Sequence, residues 1–162
     1  NKLFFYLYNS IFIIYIFIFC ILFFYFSNFN ELKILLFIIL LGCIASDIGG
    51  FIFGKIIQGP KLTKISPNKT ISGSLGSLIF CSITILTLMY YFTFKLNLKI
   101  FIIGLIISIA CQFGDLFISL LKRKAKLKDT GYFLPGHGGV LDRIDGILIG
   151  LPIGLVLFIL FF

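Results

Sequence analysis

Five apolar stretches, each long enough to carry a helix across a lipid bilayer, decide most of what this chain can fold into. A hydrocarbon core of about 30 Å takes about 20 residues of helix, and roughly 3–26, 32–53, 75–94, 100–121 and 144–162 meet that length. The chain is 60% hydrophobic and 12% charged. A soluble domain of 162 residues could not bury that much apolar surface, because its core is limited by surface-to-volume scaling. Lipid is therefore the expected solvent. The predicted fold is all-α: a polytopic transmembrane helical bundle of about five spans with two basic cytoplasmic loops, forming a single integral-membrane domain over 1–162. No Ala-x-Ala-like cleavage site follows the first apolar run, which argues against a signal peptide on a soluble body. The first residue is Asn, not Met, and a missing N-terminal portion is expected.

The breaks between spans set the orientation. Ser27–Glu31 and Lys95–Lys99 read as tight turns, whereas 54–74 and 122–143 are longer polar loops. If Lys2 is cytoplasmic, both long loops fall on its side. That side then holds eleven of the fourteen Lys and Arg residues, against Lys33, Lys95 and Lys99 opposite. This is a positive-inside pattern. The net charge of +8 is accordingly read as cytoplasmic loops facing an anionic lipid surface, with no nucleic acid as partner. Cys20, Cys43, Cys81 and Cys111 lie in apolar runs without Cys-x-x-Cys spacing and read as buried small hydrophobes.

Polar chemistry is concentrated in few places. Residues 119–145 hold six of the fourteen basic side chains, three of the six acidic ones and the single histidine. Asp47 and Asp115 sit inside apolar context, where a carboxylate is costly unless it faces a cavity, a partner or a metal. A structural pair with a nearby lysine is the plain alternative for each. Ser119 follows Asp115 by four residues, on the same helical face, and Lys122 and Arg123 come next at the membrane edge. In Gly136-His-Gly-Gly-Val-Leu-Asp-Arg-Ile-Asp145 the glycines allow main-chain N–H groups to approach phosphate. Asp142 and Asp145 are one helical turn apart, and Arg143 suits bidentate contact with a phosphate. An acid at a helix start also serves simply as a dipole partner. Ser66, Asn68, Lys69 and Thr70 in the first long loop supply further donors around the turn at Pro67. Carboxylates without clustered Cys or His favour a hard ion such as Mg²⁺. With basic residues beside them, they point to phosphoryl or nucleotidyl transfer. Neither a Walker A sequence nor a Gly-x-Gly-x-x-Gly turn is present.

Taken together, Ser119-Leu-Leu-Lys-Arg, Lys128-Asp129 and Leu134-Pro-Gly-His-Gly-Gly-Val-Leu-Asp-Arg-Ile-Asp145 closely resemble the signature of the phosphatidate cytidylyltransferase (CDP-diacylglycerol synthase) family. Ser46-Asp47, Ile65-Ser-Pro-Asn-Lys-Thr70 and Gly114-Asp115 resemble that family's other motifs in the same order. The resemblance implies CTP and phosphatidate as substrates, the lipid bilayer as partner, Mg²⁺ as cofactor, and a multi-pass protein of the inner (cytoplasmic) membrane whose active site faces the cytoplasm. It implies Asp115 and Asp142 as metal ligands, and a catalytic group of Asp115, Asp142, Ser119, Lys122 and Arg123. Asp47, Ser66, Asn68, Lys69, Thr70, Lys128, Asp129, His137, Gly138, Gly139, Arg143 and Asp145 would bind substrate. Two positions depart from the family pattern. Ile71-Ser-Gly73 stands where Trp-Glu-Gly is common, and Ile118-Ser119 where Glu-Ser is common. A homodimer stays open. So do two other readings: a CTP-dependent enzyme acting on an isoprenoid lipid (a CDP-archaeol synthase or polyprenol kinase), and a transporter or channel subunit.

Overall fold

The computed structural model describes residues 2–63, 66, 69–94, 96–127, 130 and 139–161, with the side chains of 2–9 and 31 outside the description. Five helices follow one another: α1 (Lys2–Ser27), α2 (Asn30–Ile56), α3 (Ile71–Thr93), α4 (Leu98–Lys124) and α5 (Leu141–Phe161). All five are long and apolar enough to cross a membrane. No strand occurs among the described residues, and an isolated bridge pairs Lys61 with Thr70.

The helix ends are set by local chemistry. Thr70 caps α3, its Oγ1 accepting from Gly73 N at 3.1 Å, so this helix starts four residues before the apolar run that predicts it. Asn97 caps α4 in the same way through Lys99 N. At its other end α4 runs on through Lys122, Arg123 and Lys124, basic residues that suit the negative end of the helix dipole. Helix α5 starts at Leu141, so both Asp142 and Asp145 are helical.

The chain divides into two compact units, Asn1–Leu36 and Phe37–Phe162. In the first, Ser27 Oγ and Asn28 Nδ2 both donate to Phe24 O at the end of α1. Cys20 on this helix is exposed, which corrects the expectation that all four cysteines are buried. A helix with apolar residues on every side has no particular face on which to hide one thiol. Cys43, Cys81 and Cys111, in the second unit, are buried as expected.

The second unit packs through small residues, as helices in lipid commonly do. Ile39, Ile85, Ile107, Leu151 and Phe158 fill its apolar core. On α5, Gly146, Gly150 and Gly154 recur every fourth residue along one face. A Cβ at Gly150 would stand 3.1 Å from Cys43 Sγ on α2, and one at Gly154 would stand 2.9 Å from both Ile107 and Ile39. Helices α2 and α3 meet backbone to backbone, since a Cβ at Gly49 would fall 2.6 Å from the Gly76 carbonyl.

Candidate active site

The second unit is apolar over most of its length and polar at one end. There the C-terminal parts of α2 and α4, the N-terminal parts of α3 and α5, and the loop ending at Thr70 surround a cavity of about 340 Å³. Asp47 on α2, Asp115 and Ser119 on α4, Asp142, Arg143 and Asp145 on α5, and Lys69 and Thr70 from the loop all line it. Four aspartates thus face Lys69 and Arg143 among the described lining residues.

Lys69 is delivered by a short hairpin. Leu62 N donates to Lys69 O at 2.7 Å, and Lys69 N donates to Ser66 O at 3.1 Å. Its Nζ then reaches Asp115 Oδ2 at 2.6 Å. The plain alternative of an Asp115–lysine pair is therefore realised, and the pair sits in the cavity wall. Asp115 has a second neighbour: its carboxyl and that of Asp145 stand within hydrogen-bonding reach. The close α4–α5 contact explains this. A Cβ at Gly114 would lie 2.6 Å from the Asp145 carbonyl, and one at Gly146 would lie 2.8 Å from Asp115 Oδ1. Glycine at both positions lets the two helices touch, and the touch places two carboxyls side by side. Such a pair repels itself unless a proton or a cation comes between its members.

Asp142 is held differently. Its Oδ1 accepts from Lys122 Nζ at 2.7 Å, and its Oδ2 accepts from Thr130 N and Gly139 N, each at 2.9 Å. One carboxylate thus ties the end of α4 to the start of α5 across the loop between them. Lys122 and Gly139 enter the site through these bonds without lining the cavity. Ser66 contributes its carbonyl to the Lys69 turn, and Arg123 is exposed at the end of α4. Asn68, Lys128, Asp129, His137 and Gly138 lie outside the described residues.

Several lining residues are not among those singled out from the sequence: Gly50 and Phe51 on α2, Leu62, and Gly73, Ser74, Ser77 and Gln112. Gln112 carried a signal, as a polar residue in an apolar span three positions before Asp115, and Ser77 only a weaker one, as a polar residue in an apolar span. Phe51 carried none, since phenylalanine is common throughout the chain. Neither departure from the family pattern adds a carboxylate here. Ile118 is buried in the helix core, and Ser72 Oγ donates to Gln58 O.

Asp115 and Asp145 form an oxygen-rich acidic pair that a hard divalent cation would suit; among the described residues no three carboxylates converge to hold one. A basic loop and a braced second loop flank the cavity, which suits phosphate. A profile of the cytidylyltransferase family matches residues 2–161. A phosphatidate cytidylyltransferase of Staphylococcus aureus (strain COL) is 42% identical over 135 residues, 82% of this chain and 51% of its own length. Those of Staphylococcus haemolyticus and Rickettsia felis are 43% and 41% identical, over 67% and 72% of this chain and 42% and 56% of their own lengths. The chain spans about half the length of these curated relatives. With a match along nearly all of its residues, the chain belongs to the cytidylyltransferase family.

Proposed function

We propose that the cavity transfers a cytidylyl group from CTP to phosphatidate, giving CDP-diacylglycerol and pyrophosphate. The observation that carries this reading is the arrangement of Asp115, Asp142 and Asp145 with Lys69 and Lys122 at one end of four bilayer-length helices. A lipid headgroup and a water-soluble nucleotide can meet at such a place. The positive-inside pattern supports a cytoplasmic opening, and phospholipid synthesis from CTP suits the inner membrane.

An oxygen of the phosphatidate phosphate attacks the α-phosphorus of CTP. A new phosphoanhydride bond forms, the bond from that phosphorus to the β-bridging oxygen breaks, and pyrophosphate departs with the electron pair. The attacking phosphate has a second pKa of about 6, by analogy with other phosphomonoesters. It is therefore already ionised at neutral pH, and no side chain has to remove a proton. What remains is to gather several negative charges and hold them in line.

Carboxylates alone would repel both substrates, so the excess of aspartate in the lining argues for a cation as part of the working site. Asp115 and Asp142 are the proposed ligands of Mg²⁺, with Asp145 beside Asp115. An ion held there would supply charge neutralisation for the substrate phosphates. Lys69, which lines the cavity, and Lys122, which is bonded to Asp142, are the proposed cationic partners of phosphate. Arg143 and the Thr70 hydroxyl line the same space and suit phosphate contacts.

The test is acceptor choice. Membranes carrying the protein, given CTP and Mg²⁺, should release pyrophosphate in proportion to added phosphatidate. Faster release with an isoprenoid lipid phosphate, or none with any lipid, overturns the assignment.

A further inference from the structure

Beneath the charged groups runs a chain of uncharged ones. Ser46 Oγ and Ser108 Oγ are 2.9 Å apart, linking α2 to α4, and both residues are almost completely buried. Gln112, one turn along α4, donates from Nε2 to Ser108 Oγ at 3.4 Å and to the Ser74 carbonyl on α3 at 3.2 Å. Its Oε1 accepts from Ser74 Oγ at 2.5 Å. A carboxamide donates and accepts at once, and this one uses both abilities.

Three of its four residues lie close in sequence to a charged group of the cavity. Ser46 precedes Asp47, Gln112 lies three residues before Asp115, and Ser74 lies one turn after Thr70, which follows Lys69. The network therefore joins the backbone stretches that present the two carboxylates and the lysine. At Ser46 and Ser108, which are almost completely buried, a bond is costly to leave half made, and Gln112 and Ser74 carry the network to the cavity wall, so it holds those stretches in one register.

We infer that Gln112 is a positioning residue for the reaction. It sets the mutual placement of Asp47, Asp115 and Lys69 through Ser74 and through the Ser108–Ser46 pair. This rests on reading the cavity as a nucleotidyl-transfer site, but the test separates the two. The variants are Gln112→Leu, which removes both abilities, Gln112→Glu, which keeps shape and an acceptor, and Ser108→Ala, which cuts only the arm to α2.

Two readouts are taken on purified, folded protein. Mn²⁺ affinity, followed by the electron paramagnetic resonance signal of the free ion, needs no turnover. It should weaken about tenfold in Gln112→Leu, as when a group behind a metal ligand is lost. In turnover, kcat should fall by about tenfold to a hundredfold while the KM for CTP stays within about twofold. Gln112→Glu and Ser108→Ala should fall between this variant and the wild type.

Wild-type Mn²⁺ affinity and kcat in folded Gln112→Leu overturn the inference. So does a raised KM at constant kcat, because Gln112 would then be a substrate contact. Should Gln112→Leu not fold, Ser108→Ala decides by the same two readouts. Weakened Mn²⁺ binding in a protein with no cytidylyl transfer would support the positioning role and sink the proposed reaction.

Discussion

Two lysine–aspartate pairs stand at the polar end of the second unit, and they are built differently. Lys122–Asp142 is more closed: the side chains are 16% and 11% exposed, and two main-chain N–H groups also donate to the carboxylate. Lys69–Asp115 is more open, at 30% and 18%, with a second carboxyl against the aspartate and cavity space beyond. The first pair fastens two helices and a loop. The second sets another carboxyl against its own, an arrangement common among groups that do chemistry.

The sharpest way to break this contrast is to neutralise each aspartate in turn. Asp115→Asn should cost about 10³-fold in turnover, the upper range for one electrostatic group. Its thermal midpoint in detergent should move by no more than about 3 °C, the size of a 1 kcal/mol change in a chain of this length. Asp142→Asn should lose turnover as well. It should also be the less stable of the two, by about 1–3 kcal/mol, because the half-buried Lys122 loses its charged partner and two main-chain N–H groups lose a carboxylate. Equal thermal losses in the two variants would erase the distinction drawn here.

Gly146→Ala sharpens the contrast from the backbone side. The new Cβ would press on Asp115 Oδ1 at 2.8 Å, and a displaced catalytic carboxyl should cost about 100-fold in rate. Unchanged rate would mean that the α4–α5 contact does not set the position of Asp115. Asp145→Asn should have the smallest effect. It keeps the shape but removes one negative charge beside Asp115, so the Mg²⁺ concentration for half-maximal rate should rise by about tenfold. A fall in that concentration would make Asp145 a burden on the site rather than a support.

Much of this was legible in the residues. Span length and charge asymmetry predict the five helices, because bilayer thickness and the cost of burying charge act on each segment separately. Asp47, Asp115, Ser119, Asp142, Arg143 and Asp145 stood out as polar groups in or beside apolar spans, and the cavity collects all of them. Pairing was harder to read. Nothing local says that Lys69 reaches Asp115 across 46 positions, or that Asp142 accepts from Thr130 N. Those contacts depend on how α2, α3, α4 and α5 pack, and the packing is decided by glycines whose partners lie on other helices. Gln112 was passed over for the same reason, since its bonds to Ser74 and Ser108 exist only once α3 and α4 touch.

Cytidylyl transfer that depends on Asp115 is the chemistry proposed for this cavity. The direct measurement follows two labels on CTP, one on the α-phosphate and one on the γ-phosphate, in membranes supplied with phosphatidate and Mg²⁺. The expected result is α-label in chloroform-soluble lipid, γ-label in aqueous pyrophosphate, and loss of both signals in Asp115→Asn. Label from the γ-phosphate appearing in lipid would contradict the claim, since the transferred group would then be a phosphoryl. Undiminished α-label transfer in Asp115→Asn would contradict it equally.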